Sequence, residues 1–243
     1  MRQAHILTRR GEVSPHVLLV GDPARVDRIR PYLESVVDLA YNREFKSIRG
    51  SYKGLDVTVL STGIGGPSMA IALEELVQSG ASCLIRLGSC GAIQDGIGLG
   101  DLVIATAAVR EDGASRMYLA ENYPAVPDFL LTEAILGLAR SQGLDYHLGL
   151  IRSHDSFYTD REEELRDYYR EKNVLASDME TASLFVLGSL RGVRTASILN
   201  NVVLAEGDLA EGINKFLDQE EATGLGEKRQ IRLGLEALVL MAK

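Results

Sequence analysis

Six short apolar runs recur along this chain, bounded by Gly, Pro, Ser or Asp: HVLLVGDP, DVTVLSTGIGGP, CLIRLGSCGA, DLVIATAAV, HLGLIRSHDS and TASILNNVVL. Runs this short and this rich in Val, Ile and Leu read as strands buried on both faces. Between them lie segments with helix-like patterns: PARVDRIRPYLESV, PSMAIALEELVQSG, DFLLTEAILGLARSQG, REEELRDYYREK and METASLFVLGSLRG. The final segment, EKRQIRLGLEALVLMAK, shows the helical spacing too and is expected to dock on the outside. Alternating strands and helices predict a three-layer α/β/α sandwich around a central mixed sheet. No linker, repeat or composition break divides residues 1–243, which read as a single domain with enough apolar content, 46%, for a sizeable core.

Charge narrows the possible partners. There are 26 basic and 34 acidic residues, net −8, with a pI near 5.1. No basic cluster interleaved with aromatics is present, which argues against a nucleic-acid partner. The overall field would repel an anionic ligand, so such a ligand needs arginines gathered in one cleft. No run approaches the roughly 20 apolar residues that span a bilayer. The start, MRQAHILTRRGEV, lacks the apolar core of a signal peptide. Cys83 and Cys90 would lie about 23 Å apart on one strand at ~3.3 Å per residue. A disulfide needs Cα atoms within about 7 Å, so both thiols are expected free and the chain cytoplasmic.

Standard motifs are absent. TGIGGPS is not G-x-G-x-x-G, LGSCG is not a G-x-S-x-G elbow, and neither a Walker A pattern nor H-E-x-x-H occurs. His5, His16, His147 and His154 are not at metal-ligand spacing with each other or with the cysteines. A site without metal or cofactor is therefore expected. Glycines follow the strand-like runs at Gly21, at GIGG and at GSCG, where ligands collect in α/β sheets. Arg25 and Arg43 lie near these turns, and Arg86 interrupts an apolar strand. A buried guanidinium needs a carboxylate partner or an anionic ligand, and both readings stand for Arg86. With Ser89 and a glycine turn beyond it, the group suits phosphate. In SDMETASL, Ser177 and Glu180 have capping-box spacing, while Met179 and Glu180 could equally grip a substrate.

VGDPARV, STGIGGPSMAIALEEL, IRLGSCGAIQ, VREDGAS, SFY and SDMETASL follow one another in this order. Together they resemble the nucleoside phosphorylase-I family, most of all its uridine phosphorylase branch, from about His5 to about Val203. The resemblance implies reversible phosphorolysis of a nucleoside to free base and ribose (or 2-deoxyribose) 1-phosphate. Inorganic phosphate is then the co-substrate, with no other cofactor and no metal. It implies a homo-oligomer, a trimer or a hexamer built from dimers, with sites shared between subunits. By motif, Gly21, Arg25, Arg86 and Ser89 would hold phosphate, and Arg43 would reach it from a neighbouring subunit. His5 would cross to a neighbour's sugar, and Phe157 would lie against the nucleoside. Met179 and Glu180 would hold the ribose, with Arg86 and Glu180 the catalytic pair.

The base end departs from the pattern. Uridine phosphorylases carry Gln-x-Arg after their Phe-Tyr, whereas FYTDREEEL places Arg161 and Glu163 there. Arg161 could still read the base, although Thr159-x-x-Glu162 is also a capping-box spacing. No Asp aligns with the purine-protonating acid of the family; Asn200 and Asn201 occupy that region, where an Asn could hydrogen-bond a 6-oxopurine. Uridine is the first expectation and a 6-oxopurine nucleoside the second. A hydrolytic nucleosidase and a non-catalytic nucleoside binder are further alternatives.

Overall fold

A computed structural model describes residues 2–207, 214 and 221–243. Its strands are β1 (His16–Val20), β2 (Glu34–Asn42), β3 (Phe45–Tyr52), β4 (Leu55–Ser61), β5 (Cys83–Ala92), β6 (Leu102–Glu111), β7 (Tyr146–His154), β8 (Ala176–Asp178) and β9 (Arg194–Val203). Its helices are α1 (Pro23–Ile29), α2 (Gly66–Ser79), α3 (Gly113–Tyr118), α4 (Phe129–Ser141), α5 (Glu162–Arg170), α6 (Thr181–Arg191) and α7 (Glu221–Met241).

All six apolar runs form strands. Successive side chains on a strand point to opposite faces, and both faces of β1 are covered. Val17 and Leu19 join a core with residues of α2 and α6, while Leu18 and Val20 join a second core with residues of α1, α4 and α7. The sheet is thus the middle of three layers, and it is mixed, as expected. Its order is β2-β3-β4-β1-β5-β8-β7-β6-β9, with a further pairing of β5 to β9. Because of that pairing, β5, β9, β6, β7 and β8 close on themselves, and β1, β4, β3 and β2 extend from β5 as an open wing.

One expectation is corrected. The helix read over PARVDRIRPYLESV stops at Ile29, a 3₁₀ turn follows through Tyr32, and Glu34–Asn42 is an edge strand. Pro31 lacks an N–H and its ring collides with the preceding turn, so the helix cannot run through it. The final helix packs in an outer layer and also reaches into the sheet. In α7, Glu227 and Gln230 are buried together with Ile231, Leu233, Leu235 and Leu238, and Gln230 Nε2 donates to the carbonyls of Gly88 and Ile198 across β5 and β9. Both cysteines are free and buried. Among the described residues no helix is long and apolar enough to cross a membrane.

Candidate active site

A cavity of about 770 Å³ opens at the carboxyl ends of β1, β4 and β5. Gly21, Arg25, Arg86, Ser89, Phe157, Met179 and Glu180 all line it, so the structure gathers these sequence-predicted residues from distant parts of the chain.

Arg86 lines it from β5. It lies on the same face of β5 as Leu84, the face covered by α2 and α6, and it is buried. Its Nε donates to Asp178 Oδ2 at 3.1 Å and its Nη2 to Glu180 Oε2 at 2.5 Å. Nη1 is buried without a partner among the described residues. The carboxylate reading of Arg86 is met twice over, and one donor is left over. Burial alone would lower its pKa, but the two carboxylates more than offset this, and the guanidinium stays charged. Gly88 makes room for it, since a Cβ there would lie 2.5 Å from Arg86 Cζ. The GSCG segment is not a turn. Gly88 to Gly91 continue β5 and pair with β9, so Ser89 faces the cavity from a strand rather than from a loop of free amides.

The SDMETASL segment resolves its own ambiguity. Asp178, not Ser177, caps α6: its Oδ2 accepts from Thr181 N at 3.1 Å and from Thr181 Oγ1 at 2.6 Å. Glu180 makes no cap hydrogen bond. Its carboxylate instead spans to Arg86 and to the N–H of Gly65, at 2.6 Å from Oε1. Gly65 adopts φ +93°, a conformation costly for any residue with a Cβ. Burial pushes the Glu180 carboxyl upward and neighbouring Asp178 pushes the same way, while Arg86 and the Gly65 amide oppose them.

Arg25 is held from the far end of the chain. Its Nε meets Glu227 Oε2 at 3.0 Å and its Nη1 donates to Leu87 O at 2.7 Å, while Arg28 Nε reaches Glu227 Oε1 at 2.6 Å. Sequence reasoning missed Glu227, because nothing local ties it to an arginine 202 positions away. His154 was missed as well. It lines the cavity beside Phe157, and burial, reinforced by Arg152, lowers its pKa, so the ring is neutral near pH 7. Nδ1 lies 3.0 Å from the carbonyl of Ser156, which assigns the proton to Nδ1.

Other sequence candidates fall elsewhere. Arg161 is exposed and paired to Glu164 at 2.8 Å, outside the cavity. Thr159 accepts from Arg161 N through Oγ1, and the capping box with Glu162 does not form. Asn200 and Asn201 are fully buried in β9, their amide nitrogens donating to the carbonyls of Thr223 and of Ile97 and Gly98. Those inward-facing amides knit β9 to its neighbours and do not line the cavity. Arg43 is exposed at the tip of the β2–β3 hairpin with φ 56°, and His5 is anchored by its ring nitrogen to Glu75 at 2.7 Å. Neither lines this cavity.

Comparison with known proteins supports one lineage. The family model of the phosphorylase superfamily matches residues 15–238. Guanosine phosphorylase of Halorubrum lacusprofundi is 38% identical over 99% of both chains. Uridine phosphorylase of Thermococcus kodakarensis is 43% identical over 81% of this chain and 75% of its own. A crystal structure of uridine phosphorylase from Vibrio fischeri, complexed with 6-hydroxy-1-naphthoic acid, superposes with a TM-score of 0.93 at 45% identity, covering 98% of this chain and 97% of that one. With the fold, the arginine-lined cavity and these relatives in agreement, the chain belongs to the phosphorylase superfamily.

Proposed function

We propose that the chain is a nucleoside phosphorylase acting on uridine. The observation that carries this reading is Arg86: a buried cation, fixed by Asp178 and Glu180, whose remaining nitrogen has no partner among the described residues beside a cavity large enough for a nucleoside and an anion. Phosphate takes the Gly21, Arg25, Arg86 and Ser89 pole. Glu180 takes the ribose hydroxyls beside Met179, and the base lies towards Phe157. An oxygen of phosphate bonds to C1′ as the C1′–N bond breaks, and the electron pair leaves with the base. Positive charge grows on the sugar ring in between, and the phosphate and Glu180 flank it with negative charge. Arg86 contributes position and electrostatics rather than a proton. No metal or further cofactor enters this reading.

Uridine is favoured by two relatives named uridine phosphorylase at 43% and 45% identity. A 6-oxopurine nucleoside is the second reading, favoured by the guanosine phosphorylase relative, which matches end to end. We place the enzyme in the cytoplasm, as a homo-oligomer in which exposed Arg43 and His5 serve a neighbour's site. A panel of uridine, inosine, guanosine and adenosine, each assayed with and without phosphate, tests the reading. Phosphate-dependent release of uracil is expected. Inert uridine beside cleaved inosine or guanosine supports the second reading, full-rate release without phosphate points to a hydrolase, and no turnover with any of the four leaves only a binder.

A further inference from the structure

With Arg161 outside the cavity, the base end lacks its expected reader. The wall there contains two charged side chains on one face of α5, Glu162 and Arg166, at the i, i+4 spacing that places them a single turn apart. Both line a smaller cavity of about 280 Å³, which shares Phe157, Tyr158, Glu162 and Ser177 with the larger one and so continues it beyond the base pole. Glu162 Oε2 and Arg166 Nε are each buried from solvent without a hydrogen-bond partner among the described residues. Among the described residues the carboxylate within ion-pair distance of Arg166 is that of exposed Glu163, 4.0 Å away.

A buried acceptor and a buried donor, both unpaired, are costly to keep unless something completes them. Each could have been satisfied by the other, yet no ion pair within 4.0 Å joins them. We infer that Glu162 and Arg166 read the outer edge of the base, the carboxylate accepting from a ring N–H and the guanidinium donating to the adjoining carbonyl. The inference rests on the nucleoside phosphorylase reading and names its base class: rings that present –NH–CO–, as uracil and the 6-oxopurines do. Adenine and cytosine present an unprotonated ring nitrogen and an amino group there, and would set an acceptor against Glu162 and a donor against Arg166.

Methylated nucleosides test this directly. Uridine and N3-methyluridine share every carbonyl and differ at the N–H; inosine and 1-methylinosine form the matching purine pair. A site built around a hydrogen bond rejects the analogue that lacks it strongly, so the native enzyme should prefer the unmethylated member of its active pair by at least about a hundredfold in kcat/KM. Glu162→Ala should shrink that preference below about tenfold. Glu162→Gln, isosteric and able to donate, should raise cytidine or adenosine relative to uridine or inosine. Arg166→Met should depress both members of a pair equally, because both keep the carbonyl. The KM for phosphate should stay within about twofold in every variant. An active native enzyme whose preference is unaltered in Glu162→Ala and Glu162→Gln overturns the inference while leaving phosphorolysis intact. A native enzyme with no phosphate-dependent turnover on any nucleoside overturns the function on which it rests.

Discussion

Glu180 shows how one side chain can be released from local duty for long-range contacts. Asp178 two residues earlier satisfies the helix end, so the Glu180 carboxylate is left to join Arg86 to the Gly65 amide. Glu180→Gln keeps the shape, the acceptor for Gly65 and a charged partner for Arg86 in Asp178. We expect a near-native melting temperature but a kcat lower by about 10²–10³, the range for losing one preorganised electrostatic contact. A variant that melts early yet turns over normally would return Glu180 to a structural role. Gly88 makes the complementary case. A methyl there meets Arg86 Cζ at 2.5 Å and Leu199 Cδ2 at 2.7 Å. Gly88→Ala should therefore cost about 1–3 kcal/mol by denaturant titration. It should also raise the KM for phosphate, because Arg86 is the group with room to give way.

At the scale of elements, what could be read in advance follows from what is local. Strands announce themselves as apolar runs, and all six were legible, although β7 is not covered on both faces as expected, since Leu148 and Leu150 are exposed. Strand β2 was not, since its residues are mostly exposed or half-buried and carry no such run; the cue was Pro31 alone. Arg86 was legible because a cation inside CLIRL demands an explanation. The proposed base wall was harder: the helix phase of α5, invisible in REEEL, decides that Glu162 and Arg166 line the cavities while Arg161 does not. Helix α7 was underrated for a related reason, as its apolar spacing signals packing but not the carboxylate it carries. Glu227 is buried between Arg25 and Arg28. Removing one partner of a buried ionic group is costly because its charge remains behind. Glu227→Ala should lose about 3–5 kcal/mol in equilibrium unfolding and weaken phosphate binding through Arg25. A loss below about 1 kcal/mol with unchanged phosphate KM would show that α7 serves only as a cover.

Over the whole molecule, acid is the sensitive direction. Burial would raise the carboxyls of Glu75 and Glu111, but hydrogen bonds outweigh it: the amides of His5 and Ile6 and the His5 ring at Glu75, Tyr169 and Arg152 at Glu111. Both titrate below the ordinary glutamate value of 4.5. A carboxylate with a depressed folded-state pKa adds stability that is complete above that value and disappears as pH falls through the folded one. The melting temperature should therefore fall as pH drops below about 4.5, and Glu75→Gln should flatten that decline. An identical acid slope in the variant would assign it to other groups.

The ion pair between Arg25 and Glu227 also sets a schedule. A ribosome adds roughly 5–20 residues per second, so the 202 positions between the two amount to about 10–40 seconds of synthesis. Throughout that interval Arg25 is present without the carboxylate of Glu227 that holds it, and the sheet beneath lacks helix α7. The nascent enzyme can acquire most of its strands early, but the surroundings of Arg25 mature only once Glu227 has been added.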